Sequence, residues 1–318
     1  MAARADLARA RGDSHGALRD VRAPVRPRRG GGPPADLLGA HMSVAGGFYR
    51  ALERGHALGC GAVQIFVKNQ LQWRARPLTD EDVRLWKAAR RETGIRHAFA
   101  HASYLINLGT PRAAEWRRAV GAFQDELERA EALGLSLVVI HPGSHKGAGR
   151  RAGLARVAAA LDELTRRTRG ARVRIALENT AGAGDTLGRT FAELGWLLDR
   201  ARHPERLGVC LDTCHLFAAG YDLRSRAGYE AAMAECLTAV GLEAVRAFHL
   251  NDAKAGLGSG LDRHEHIGRG QLGLQPFRLL LRDRRWRRVP KVLETPKKPD
   301  PAADIANLRT LRTLSGRR

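Results

Sequence analysis

Residues 207–215 read Leu-Gly-Val-Cys-Leu-Asp-Thr-Cys-His. The run 207–211 is apolar and strand-sized, and it breaks off at Asp212 and His215. A strand apolar on both faces belongs to a sheet covered on both sides, the setting of parallel strands joined by helices. The same unit recurs along the chain, with apolar runs at Leu37–Ala40, Ala62–Val67, Ala98–Ala100, Leu135–Ile140, Val173–Leu177, Ala244–Leu250 and Val289–Leu293. Amphipathic stretches at helical spacing lie between them, as at Ala113–Leu133, Leu154–Thr168 and Thr190–Arg200. Repeated strand–helix units in this number indicate an α/β fold, a single (β/α)8 TIM barrel. A doubly wound sheet would carry Gly-x-Gly-x-x-Gly after its first strand, and the Gly46-Gly47 pair is too short for that.

The residues just past each run are more specific than the run itself. The strands lead into His41, Lys68-Asn69-Gln70, His101, His141-Pro142-Gly143-Ser144-His145, Glu178-Asn179-Thr180, Asp212-Thr213-Cys214-His215, His249-Leu250-Asn251-Asp252 and Glu294-Thr295. In a TIM barrel the C-terminal strand ends open on one mouth, the catalytic face. Glu178, Asp212 and Glu294 gathered there would repel one another, and a divalent cation is the simplest compensation. Imidazoles mixed with carboxylates and no thiolate suit zinc or manganese better than calcium or magnesium. The loop Asp262-Arg263-His264-Glu265-His266 adds an Asp-x-His pair, with His264 and His266 equally good by spacing. Nine candidate ligands emerge: His101, His141, Glu178, Asp212, His215, His249, Asp262, His264 and Glu294. That is too many for one tetrahedral ion and indicates two or three metals sharing a bridging carboxylate.

The chain has 318 residues, 44% of them hydrophobic, which is enough for a large core. Lys and Arg number 54 against 33 Asp and Glu, a net charge of +21 that attracts polyanions such as nucleic acid. Residues 1–36 read as a disordered basic N-terminal extension, or as a start placed upstream of the true one. Their eight Arg and four Asp account for +4, so +17 belongs to the body at 37–318. No run reaches the roughly 18 residues of a membrane span, and no signal-peptide core is evident. Cys60, Cys210, Cys214 and Cys236 form neither a disulfide framework nor a zinc ribbon and read as buried thiols in a reducing compartment. A cytoplasmic protein is expected.

The blocks GAHMSVAGG, FVKNQLQWRARPL, HASYLINLG, HPGSH, LENTAG, GVCLDTCHLFAAGYDL, HLNDAK, DRHEHIGRG and VLETP, in this order, resemble endonuclease IV, the zinc-dependent apurinic/apyrimidinic endonuclease family. They span residue 37 to about residue 295, nearly the whole body. The resemblance implies three zinc ions per chain (with manganese in one site as a variant). The substrate it implies is double-stranded DNA containing abasic sites, cleaved 5′ to the lesion to leave a 3′-hydroxyl and a 5′-deoxyribose phosphate. It assigns His101, His141 and Glu178 to one ion, and Glu178, Asp212, His249 and Glu294 to a second. His215, Asp262 and His264 would hold the third, and His41 would support a ligand without binding metal.

Glu178 and Glu294 are the candidate catalytic carboxylates, Glu178 bridging two ions and Glu294 orienting the nucleophile. Tyr104 and Leu105 match residues that probe the DNA, and Lys68, Arg74 and Arg76 are candidates for phosphate contacts. Leu71 stands where an Arg is more usual, and Ala102 where a small polar or acidic residue is common. A nucleoid-associated monomer with no obligate protein partner is expected, without contact to membrane. Two rivals remain: a divalent-metal sugar isomerase or epimerase on the same kind of barrel, and a non-catalytic DNA-binding relative. The first has no need of a third ligand set or a +17 body, and against the second all nine ligand positions are filled, where a decayed site would lose some.

Overall fold

The computed structural model describes residues 37–297 and 301–316, and the basic extension expected at 1–36 lies outside them. Its strands are β1 (Leu38–His41), β2 (Ala62–Phe66), β3 (His97–His101), β4 (Leu137–Ile140), β5 (Arg174–Glu178), β6 (Leu207–Asp212) and β7 (Val245–His249), then the short pair β8 (Asp252–Ala253) and β9 (His264–Glu265), and finally β10 (Lys291–Leu293). Strands β1 to β7 and β10 pair in parallel, and β10 sits between β7 and β1 to close the barrel. β8 and β9 pair antiparallel outside it. The TIM barrel expected from the sequence is thus observed.

Helices α1 (Phe48–Ala57), α2 (Asp80–Thr93), α3 (Ala113–Leu133), α4 (Arg150–Arg167), α5 (Phe191–Asp199), α6 (Thr213–Ala219), α7 (Arg226–Val240), α8 (Gln275–Arg282) and α9 (Ala302–Ser315) are formed by the intervening segments. α3 matches its expected span because its ends are marked: Val120, Phe123, Leu127 and Ala130 recur on the buried face, and Gly134 stops it at φ 67°. α4 begins a turn before the expected Leu154, since Arg150 and Arg151 are exposed and carry no apolar periodicity. β4 begins at Leu137 instead of Leu135, because the Leu135 amide donates back to the Ala130 carbonyl and finishes the helix.

Side-chain parity decides what lies inside the barrel. Alternate strand residues face the interior, and a separate buried cluster there comprises Ala62, Phe99, Leu137, Val139, Ala176, Cys210, Ala247 and Val292. Two residues further along the same strands come Gln64, His101, His141, Glu178, Asp212, His249 and Glu294. The polar layer at the mouth is therefore the next storey of the apolar plug. Gly39 on β1 is needed for closure, since a Cβ there would stand 1.7 Å from the Ala62 carbonyl oxygen.

Candidate metal centre

Three sources deliver the polar layer. The last residues of β3, β5, β6 and β7 contribute His101, Glu178, Asp212 and His249, with His141 and Glu294 just past β4 and β10. His215 arrives on α6, which starts where β6 stops: the Asp212 carboxylate accepts from the His215 amide at 2.8 Å and caps the helix. The β8–β9 ribbon brings Asp262 and His264 over the mouth.

Each of four imidazoles has one nitrogen committed to an acceptor. His101 Nδ1 donates to the Ala102 carbonyl (2.7 Å), His215 Nδ1 to the Asn179 carbonyl (2.9 Å) and His264 Nδ1 to the Glu294 carbonyl (3.1 Å). His249 Nε2 donates to Gln64 Oε1 (2.8 Å). The remaining nitrogen of each then faces carboxylate. His101 Nε2 and His141 Nε2 both stand 3.1 Å from Glu178 Oε2, and His249 Nδ1 lies 2.8 Å from Glu178 Oε1 and 3.2 Å from Glu294 Oε2. His215 Nε2 and His264 Nε2 each lie 3.1 Å from Asp262 Oδ1. Both of these Nε2 atoms are buried without a hydrogen-bond partner of acceptable geometry.

A neutral imidazole lone pair against a carboxylate oxygen is repulsive unless a cation joins them. The ligating atoms fall into compact groups: His101–His141–Glu178, Glu178–Asp212–His249–Glu294 and His215–Asp262–His264. The donors are imidazole nitrogens and carboxylate oxygens, with the opposite ring nitrogen hydrogen-bonded as in metal-binding histidines. These residues therefore fit divalent metals. A further grouping, Asp212–Cys214–His264, includes a thiol that burial, then Asp212, pushes up to about 12, so Cys214 stays protonated near neutral pH.

Without metal, protons fill the same role. Burial alone would lower the His264 pKa, but Asp212 and Asp262 outweigh it and raise it to about 9. His101 and His215 are likewise raised, against burial, by the surrounding carboxylates, and His249 by Cys210, Glu294 and Glu178. Metal must displace these protons, so affinity should climb with pH up to about 9, by about tenfold per pH unit for each proton released. Equilibrium dialysis against a metal buffer between neutral pH and about pH 9 checks this. Occupancy that does not change with pH would contradict it.

Comparison with known proteins fits this geometry. Residues 52–314 match the family model described as xylose isomerase-like TIM barrel. A probable endonuclease 4 of Oleidesulfovibrio alaskensis is 50% identical over 285 residues, covering 89% of this chain and 96% of the relative. The crystal structure of endonuclease IV from Thermus thermophilus superposes with a TM-score of 0.78 at 38% identity, over 87% of this chain and 98% of that one. The chain belongs to the endonuclease IV family. A 3-keto-D-glucoside 4-epimerase from E. coli matches at TM-score 0.63 and only 16% identity, a likeness of fold alone.

The residues expected in this endonuclease IV family member to meet DNA are divided by the structure. Leu71 and Tyr104 are 70% and 58% exposed, and the Tyr104 ring lies 5.5 Å from that of His101. Leu105 is half-buried beside it, and Arg74 is exposed on the same loop as Leu71. Arg76 is exposed but held by Asp82 in a two-point ion pair (2.6 and 2.8 Å). Lys68 requires a correction. Its ammonium is buried, 3.2 Å from Glu126 and 3.0 Å from the Ala122 carbonyl, so it is an internal counter-ion and not a phosphate contact. His41 stands beside Glu294 (3.7 Å) and accepts from Gln64 Nε2 (2.9 Å). His266 turns away to Asn307 at 3.0 Å and joins no ligand group.

Three supporting residues were not anticipated from the sequence. Gln64 joins His249, His41 and Glu294. Asn251 donates to Asp212 Oδ2 (2.6 Å) and accepts from the Glu294 amide (2.9 Å), while Asn179 accepts from the Asp212 amide (2.7 Å). Gln64 had a readable signal: a lone amide in the apolar run Ala62–Val67, at inward parity.

Proposed function

We propose that this protein is a DNA repair endonuclease that hydrolyses the phosphodiester 5′ to abasic sites, leaving a 3′-hydroxyl and a 5′-deoxyribose phosphate, with three zinc ions. The observation that carries this reading is the third ligand group. His215 and His264 aim unpartnered, buried Nε2 atoms at Asp262, which a two-metal sugar isomerase would not need. When bound, such ions supply Lewis acidity and activate water for attack on a phosphodiester.

The chain's own residues do the remainder. Glu178, with both oxygens engaged, fixes the separation of the first two ligand groups. Glu294, braced by His41, Gln64 and the Asn251 amide bond, orients the attacking group. An abasic nucleotide has no base to unstack, so turning it out of the helix costs less than flipping an intact one. Leu71, Tyr104 and Leu105 stand at the mouth as wedges for the vacated stack. A monomer acting on duplex DNA in the cytoplasm, against the nucleoid, fits the basic body.

The test is a labelled duplex with one tetrahydrofuran abasic analogue beside an intact control. A break immediately 5′ to the analogue, lost on chelation and restored by zinc, is expected. The analogue cannot undergo β-elimination, so metallated protein that leaves it uncut would sink the reading. Leu71→Arg restores the cation more usual in the family at this exposed position. It should lower KM for the abasic duplex by up to about tenfold through a charged contact, with kcat little changed. An unchanged KM would show that Leu71 does not reach the DNA.

A further inference from the structure

The end of the barrel where the strands begin carries a second concentration of charge. Arg174 opens β5, Arg206 precedes β6 and Arg246 is the second residue of β7. A cavity of about 810 Å³ there is lined by Arg246, Arg284, Arg287 and Arg288, with Glu243 among the lining residues. Arg285 also lines the cavity but is engaged with Asp283 and Glu230 (2.6 and 2.9 Å); nearby, Arg206 is engaged with the Val173 and Thr168 carbonyls and Arg174 with the Glu205 carbonyl. Among the described residues, no carboxylate forms an ion pair with Arg246, Arg284, Arg287 or Arg288.

Arg246 is also held in place. Its stem lies across β6 where Gly208 leaves room, since a Cβ at 208 would stand 2.5 Å from Arg246 Cγ. Its Nε is shielded from solvent and has no hydrogen-bond partner. Burial, then the neighbouring Arg174, lowers its pKa. A shielded N–H without an acceptor, on a side chain set beside other cations, is a donor that an arriving anion can satisfy. The planar donor fork of arginine matches phosphate oxygens in two-point geometry.

We propose that this cavity binds a phosphate of a nucleic-acid backbone, making the face opposite the metal centre a second DNA contact. A duplex lying across the mouth cannot also reach the far end of the strands, so the occupant is a second segment. The inference rests on the endonuclease reading only for naming DNA as the polyanion.

The experiment compares the protein with its R246Q/R287Q/R288Q variant for binding of a long intact duplex as salt is varied. Loss of this one phosphate contact should flatten the slope of log affinity against log salt by about 0.9. Incision of a short abasic duplex, which reports the mouth, should be unchanged and shows that the variant is folded. If it is not folded, the surface double variant R287Q/R288Q is used, with the same expected flattening of about 0.9. An unchanged slope in a folded variant overturns the proposal. So does inorganic phosphate that perturbs the arginine side-chain resonances of the cavity but is not displaced by intact duplex, because the ligand is then a small phosphate. Failure of the unaltered protein to incise speaks against the endonuclease reading, and the slope comparison still decides this one.

Discussion

Glu178→Gln is expected to lower kcat a thousandfold to ten-thousandfold, about 4–5.5 kcal/mol of lost transition-state stabilisation. Glu178 is fully buried, and its two oxygens face different partners: Oε2 meets His101 and His141, while Oε1 meets His249 (2.8 Å) and His215 (3.4 Å). Burial alone would raise its pKa, but His249, His141 and His101 outweigh burial and hold it well below the ordinary carboxylate value. It belongs to both of the first two ligand groups. Glutamine has nearly the same shape but only one acceptor oxygen, and its amide NH2 cannot ligate a metal. Both groups lose the shared negative charge, and whichever way the amide turns, the imidazoles of one group meet an N–H in place of an acceptor oxygen. Elemental analysis should show bound metal falling by one to two ions per chain. A Gln variant with full metal content and activity within tenfold of the unaltered protein would contradict the bridging role.

The ligand groups were legible because barrel topology turns a one-dimensional feature into a three-dimensional one. A polar residue directly after an apolar run is at the mouth, whatever its distance in sequence, which is why His101 and Glu178 could be paired across 77 positions. Parity adds the interior storey, and it would have found Gln64 had each run been read residue by residue. Spacing could not separate His264 from His266, since the choice depends on Asn307 of α9 capturing His266. Nor could it reveal the fate of Lys68. A lysine after a strand reads as solvent-facing, and only the arrival of Glu126 from α3, well along in sequence, draws its ammonium inward. Helix ends were legible where Gly takes a left-handed conformation, as at Gly134, and not where a helix opens on exposed arginines, as at Arg150.

Lys68→Met is expected to cost about 3–5 kcal/mol at neutral pH, because it strands the buried Glu126 carboxylate. Glu126 is fully buried; beyond Lys68 (3.2 Å), its partner is the Ser103 amide, 3.2 Å from both of its oxygens. Burial raises its pKa, and in the unaltered protein Lys68 and the Ser103 amide oppose that. Removing Lys68 raises the folded-state pKa further above the unfolded value. A group shifted in this direction gives stability that is fully present below the unfolded pKa and is lost as pH rises through the folded one. The variant should therefore be closest to the unaltered protein in acid and fall behind as the solution approaches neutrality. Urea unfolding at mildly acidic and slightly alkaline pH measures the difference. Adding Glu126→Gln should recover most of the loss and flatten its pH dependence, since the Gln carbonyl still accepts from Ser103 and no charge is buried. The same contacts join two loops at the mouth: Ser103 Oγ donates to the Gln70 carbonyl (2.6 Å), tying the turn that carries Tyr104 to the one that carries Leu71. In the single variant both turns should loosen, and KM for an abasic duplex should rise more than kcat falls, because the ligand groups on β3 and β5 are untouched. A loss below about 1 kcal/mol that does not vary with pH would mean that Glu126 finds water or another cation, and the pair would then have no part in holding the loops.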